Sequence, residues 1–128
     1  MLTKKLLDGL TYTILGAAIE VHKQLGPGLL ESVYEKCFLI ELAIRGISAK
    51  SQIWVPLEYK GLEISTELRL DVLVEDLICE ELKAIEDLMP IHDAVLLSYM
   101  KLLHKPKGIL INFHCVNKHI QGRPKDFG

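Results

Sequence analysis

The stretch Arg69–Lys83 constrains this chain more than any other. Leu68, Leu70, Val72 and Val74 alternate with Arg69, Asp71 and Leu73. After Glu75-Asp76-Leu77 a second arm sets Ile78, Leu82 and Ala84 against Cys79, Glu81 and Lys83. Alternation of this kind marks strands, and two such arms about a short link predict a β-hairpin. Side chains change face at every residue, so Glu81 and Lys83 share one. The register decides whether Asp71 joins them. A two-residue turn at Glu75-Asp76 pairs Val74 with Leu77 and sends Asp71 to the opposite face. A three-residue turn pairs Val74 with Ile78 and Leu70 with Leu82, and sets Asp71 beside Glu81 and Arg69 beside Lys83. The second register keeps the apolar side chains together, and a buried face specifies register strongly. It is the expected one.

Two adjacent carboxylates repel unless a proton or a cation lies between them. Hard oxygen donors suit Mg2+ or Mn2+, which keep several waters and lean on phosphate oxygens. A lysine two residues on can hold the attacking water or steady developing charge. These parts suit hydrolysis of a phosphodiester. The same residues also suit a charged outer face with a surface ion pair.

Asp71 followed by Glu81-x-Lys83 resembles the PD-(D/E)XK nuclease superfamily. The wider chain resembles the GxxExxY proteins in particular. Their motif stands here as Gly28-Leu-Leu-Glu31-Ser-Val-Tyr34. Further matches are Arg69-Leu-Asp71, Glu81-Leu-Lys-Ala84, Pro90-Ile-His92, Leu96-Leu-Ser-Tyr99 and Gly108-Ile-Leu-Ile-Asn-Phe113. The chain departs at Val95, where the family has Gln, and at Glu80, where it has an apolar residue. The resemblance implies that Asp71 and Glu81 bind a metal and that Lys83 assists catalysis. It also implies that Glu31, in the first turn of a helix, is a third acid facing the metal; the alternative is a charge favoured by the helix dipole. Tyr34 is expected to hold that acid, touch substrate or pack half-buried. His92, Tyr99 and Lys101 are candidate supporting or substrate-binding residues.

Composition narrows the class. A chain of 128 residues with 49% hydrophobic and 25% charged content is expected to form one globular domain over 1–128. No apolar run reaches the length of a membrane span, and Met-Leu-Thr-Lys-Lys lacks a signal-peptide core. Cys37, Cys79 and Cys115 have no C-x-x-C spacing, which fits a reducing cytoplasm rather than disulfides or structural zinc. Net charge is −2, yet residues 101–128 hold six Lys or Arg and one acid. That quarter is the expected side for an anionic backbone, or else a solvated tail.

In chain order the pattern predicts a helix over 3–25 and a second from Leu29 to about Arg45. The second has an apolar stripe of Leu30, Val33, Cys37, Ile40 and Ile44. Strands follow at 50–59 and 62–74, with Pro56 suggesting an edge or bulge and Lys60-Gly61 a turn. The hairpin's second arm reaches Ala84. A helix over 90–103, a buried strand over Lys107–Phe113, a strand near Val116–Gln121 and a mobile tail from Gly122 complete the chain. Trp54 and Tyr59 read as packing residues, with base stacking as the alternative. His22 reads as a surface or packing histidine rather than a ligand.

The expected fold is α/β. A mixed β-sheet flanked by helices has a restriction-endonuclease-like αβββαβ core, an extra N-terminal helix and a site at the hairpin edge. The expected function is metal-dependent hydrolysis of nucleic acid, DNA ahead of RNA, with Mg2+ or Mn2+ as cofactor. The rivals are a nuclease-fold domain that binds nucleic acid or protein without cutting, and a homo-oligomer built through the apolar first helix.

Overall fold

Strands buried on both faces carry near-continuous apolar runs, and Ile109-Leu-Ile111 is such a run at the centre of this molecule. The computed structural model describes residues 2–114 and the backbone of 121–126. Two helices, α1 (Lys4–Leu25) and α2 (Glu31–Ile44), precede β1 (Ala49–Trp54), β2 (Leu57–Tyr59), β3 (Leu62–Ile64), β4 (Arg69–Val74) and β5 (Ile78–Lys83). Then come α3 (Pro90–Leu103), β6 (Lys107–Asn112) and β7 (Gln121–Asp126). The main sheet runs β1-β4-β5-β6-β7, with β5 and β6 parallel and the other pairs antiparallel. This is an α/β fold with a mixed sheet flanked by helices. Elements α2, β1, β4, β5, α3 and β6 form the αβββαβ core, and α1 is the added helix.

One apolar cluster joins Ile14, Ala17, Ala18 and Val21 of α1 and Tyr34, Phe38 and Leu42 of α2 to Val72, Val74, Ile78, Leu82, Ile109 and Ile111. The other joins Leu96 and Met100 of α3 to Leu70, Leu73, Cys79 and Leu110. Helices α1 and α2 thus cover one face and α3 the other. Gly108 makes the second contact close, because a Cβ there would lie 2.6 Å from the Met100 sulfur.

Several expectations are corrected. Proline fixes φ and lacks an amide donor, so the strand expected over 50–59 breaks at Pro56. The strand expected over 62–74 breaks between Ile64 and Arg69, and β2 and β3 pair instead as a small separate hairpin about Lys60-Gly61. The β4–β5 hairpin lies inside the sheet between β1 and β6. Helix α2 buries Tyr34, Phe38 and Leu42, leaving Leu30, Ile40 and Ile44 exposed, because its sequence is apolar on two sides. Residues 122–126 are not a tail but pair with β6, from Ile111↔Gly122 to Lys107↔Asp126. Most of the strand expected at Val116–Gln121 lies outside the described residues.

The hairpin register is Val74↔Ile78, Leu73↔Cys79 and Val72↔Glu80. Glu75 and Asp76 both take left-handed backbone, and the Leu77 amide closes the turn on the Val74 carbonyl at 2.9 Å. Ordinary side chains resist that conformation, and contacts hold these two there. The Glu75 carboxylate accepts from the Ser48 amide at 2.8 Å, and Asp76 pairs with Lys105 at 3.0 Å.

Candidate functional site

Asp71 and Glu81 meet where β4 and β5 part. Their ladder stops at Val72↔Glu80, and beyond it carboxylates take over the backbone amides. The Leu82 amide donates to Asp71 Oδ2 at 2.8 Å, and the Asp71 amide donates to Glu81 Oε1 at 3.3 Å. Each acid is thereby fixed by the other's strand. Glu81 is 5% exposed. Burial first, and then the Asp71 charge, push its carboxyl up to about 8; the charge of Lys83 opposes the shift. In the absence of metal Glu81 therefore holds its proton more tightly than an ordinary carboxyl. Tyr99 faces this pair from α3. Burial first, and then the charges of Glu81 and Asp71, push its phenol up.

A cleft of about 340 Å³ opens on the other side, lined by Glu31, Ser32, Glu35, Gln52, Asp71 and Leu82. Glu31 stands exposed in its wall. The acid of α2 on which the Asp71 charge registers is Glu35, one helical turn on. Burial and then Asp71 push its carboxyl up, and Glu31 adds a smaller push. Sequence reading missed Glu35, although an i, i+4 pair of acids on one helix face was its available signal. Gln52 was missed as well. Its side-chain amide donates to both oxygens of Glu35, at 3.0 and 3.3 Å. Gln52 has φ +53, and the β1–β4 register skips it and Asp71, which lie opposite each other. Side chains change over there: Val72 packs toward α1 and α2, but Leu70, two residues away, packs toward α3. In a regular strand both would share a face.

Tyr34 is turned into the core, with no hydrogen bond to Glu31 among the described residues. It is fully buried, with its ring stacked on Phe113 at 4.8 Å. Its hydroxyl accepts from the Leu29 amide at 3.2 Å and donates to the Gly26 carbonyl, bridging the loop that leads into α2. Gly28, at φ +103, gives that loop a bend suited to glycine. The motif therefore aims α2, and with it Glu31 and Glu35, at β4. Tyr34→Phe leaves two backbone groups without a partner. We expect it to cost about 1–3 kcal/mol in urea unfolding; an unchanged midpoint would show that the loop is held otherwise.

The remaining candidates lie elsewhere. His92 caps α3, its ring Nδ1 accepting from the Met89 amide at 2.8 Å. Lys101 lines a different cleft with Pro56, Glu58, Glu63 and His104. His22 Nδ1 lies 3.1 Å from the Phe113 carbonyl, a packing role. Of the basic residues in the last quarter, Lys105 pairs with Asp76, and Lys107 is buried with its ammonium 3.5 Å from Asp8. The side chains of Lys118, Arg123 and Lys125 lie outside the described residues.

A comparison with protein families places the chain as a whole. The family model of the PD-(D/E)XK nuclease superfamily covers residues 8–123. The chain belongs to the PD-(D/E)XK nuclease superfamily. No curated protein and no solved structure gives a match. PD-(D/E)XK nucleases act on nucleic acid and are generally divalent-metal dependent, so fit to a metal is a fair test of this site. Among the described residues no three His, Cys, Asp or Glu side chains form a ready cage. Two adjacent oxygen-donor acids do fit a hard cation that keeps most of its waters. Among the described residues, no helix is long and apolar enough to cross a membrane.

Proposed function

We propose that this PD-(D/E)XK nuclease-fold chain is a GxxExxY-type nuclease hydrolysing phosphodiester bonds of nucleic acid, DNA ahead of RNA, with Mg2+ or Mn2+. The contact of Asp71 with Glu81, with Lys83 on the same strand face, carries the reading. Asp71 and Glu81 would hold the metal, which when bound supplies positive charge for phosphate oxygens and lowers the pKa of water. Lys83 orients the attacking water or steadies charge at the leaving oxygen. Glu31 and Glu35 complete the acidic wall, with Glu35 held in place by Gln52. Tyr99 closes the α3 side.

Metal binding must displace the proton that Glu81 holds. At pH 7 we expect Mg2+ or Mn2+ to raise the melting temperature by mass action and to release a proton. Calorimetry in buffers of different ionisation heat counts that proton. Asp71→Asn should remove most of the thermal shift and the proton release. A shift of equal size in wild type and mutant would place the metal elsewhere.

A second reading, a domain that binds nucleic acid without cutting, is favoured by Val95. It sits half-buried one turn before Tyr99 and brings no amide toward the acids. The apolar stripe of α1 that a homo-oligomer would use is buried in this fold: Ile14, Ala17 and Ala18 are fully covered.

A further inference from the structure

Trp54 is the only tryptophan of the chain, and it is 55% exposed. An indole left this open is unusual, since tryptophan is highly buried on average. The Arg69 guanidinium lies over its ring, 4.0 Å from the centroid, and the two residues are direct partners across β1 and β4. Their neighbours Ile53, Leu68 and Leu70 pack into the α3-side cluster. Alternation therefore turns Trp54 and Arg69 to the α2 side of the sheet. Gln52 and Asp71, the facing pair one step along the same two strands, address that side too, through Glu35 and the acidic cleft. The aromatic–cation pair thus lies on the cleft's side of the sheet, about 7 Å from the Asp71 position along the strand.

We infer that Trp54 and Arg69 form a platform on which an unpaired base of the nucleic acid stacks, one nucleotide from the phosphate presented to Asp71 and Glu81. This rests on the nuclease reading and names its substrate class: a single strand, an overhang or a frayed end. The indole supplies a π-face that any base can use, and the guanidinium supplies a planar cation for base or phosphate. The occupant is nucleic acid rather than an apolar peptide because the exposed ring is paired with a cation and lies on the same side of the sheet as a site for phosphate. A base inside a blunt duplex is already stacked on both faces and offers the ring nothing.

Because Trp54 is the sole indole, its fluorescence reports the platform directly. The full-length protein in EDTA is titrated with a single-stranded oligonucleotide and with the blunt duplex of the same sequence. Emission is followed, and binding is measured separately by anisotropy of a labelled strand. The single strand should quench Trp54 strongly and the duplex little. Trp54→Ala should weaken single-strand binding by about 5- to 150-fold, Arg69→Ala should weaken it in the same direction, and Trp54→Phe should restore most of it. Trp54→Ala should leave duplex affinity unchanged. Single-strand binding without quenching, equal losses on single strand and duplex, or no binding by wild type would each overturn the platform. The nuclease reading stands or falls separately. Metal-dependent cleavage that Trp54→Ala leaves untouched removes the platform alone; quenching without any cleavage by wild type keeps the platform and removes the enzyme.

Discussion

Lys83→Ala should lower metal-dependent cleavage by about 10²–10⁴, the usual worth of a positioned acid–base group, while leaving the fold intact and both metal-binding acids in place. The lysine is half-buried at the end of a strand that is otherwise fully buried, so its truncation opens no large cavity. Its charge acts on Glu81 and helps that carboxyl to ionise. Removing it should therefore raise the pH at which Glu81 gives up its proton, and shift the pH profile of metal binding upward. Lys83→Arg should keep that electrostatic effect yet restore cleavage only in part, because the guanidinium is planar and does not give up a proton. A Lys83→Ala protein that cuts at the wild-type rate would remove the lysine from the mechanism.

Glu80→Leu should stabilise the protein by about 1–3 kcal/mol, more at pH 8 than at pH 5. Glu80 is fully buried, and among the described residues neither carboxyl oxygen has a hydrogen-bond partner. Its cross-strand partners are Val72 and Ile109, both members of the α1–α2 cluster. Burial pushes the carboxyl well above its ordinary value of 4.5. The folded chain therefore holds a proton that the unfolded chain releases once pH exceeds that value. Stability should be full below about 4.5 and fall as pH rises toward the folded-state pKa. Glu81 and Glu35, also raised, act in the same direction in the absence of metal. Urea unfolding of wild type and Glu80→Leu at pH 5 and pH 8 reads both effects. A wild type more stable at pH 8, or a mutant less stable at either pH, would contradict the burial of an acid at this position.

The turn of the central hairpin was legible in the apolar alternation of its two arms. The three-residue turn that keeps Val74 with Ile78 is the one formed; the expected partners Leu70 and Leu82 pack instead into clusters on opposite faces, and Arg69 lies over Trp54 rather than beside Lys83, because both faces of the sheet are covered and the strand changes over at Asp71. The αβββαβ order was legible from the same periodicities. The stripe of α2 was not, because Leu30, Ile40 and Ile44 are as apolar as Phe38 and Leu42; only the position of the sheet decides which side is covered. Tyr34 looked like a site residue because it lies three residues from Glu31, yet its hydroxyl bridges the loop before the helix. Gln52 carries no local signal. Its left-handed backbone depends on Glu35, seventeen residues earlier, and on the gap opposite Asp71. Trp54 read as a packing residue because tryptophan usually is one. It is exposed on β1, an edge strand of the sheet.

Cleavage itself is the most direct test of the account. Wild type and Asp71→Asn are incubated with single-stranded, overhanged and duplex DNA and with RNA, in Mg2+, in Mn2+ and in EDTA. We expect wild type to cut in metal alone, with single-stranded or overhanged DNA preferred, and Asp71→Asn to be inactive on every substrate while remaining folded. Binding without cutting by wild type in either metal, on all of these substrates, would contradict the assignment of Asp71, Glu81 and Lys83 as a working nuclease centre.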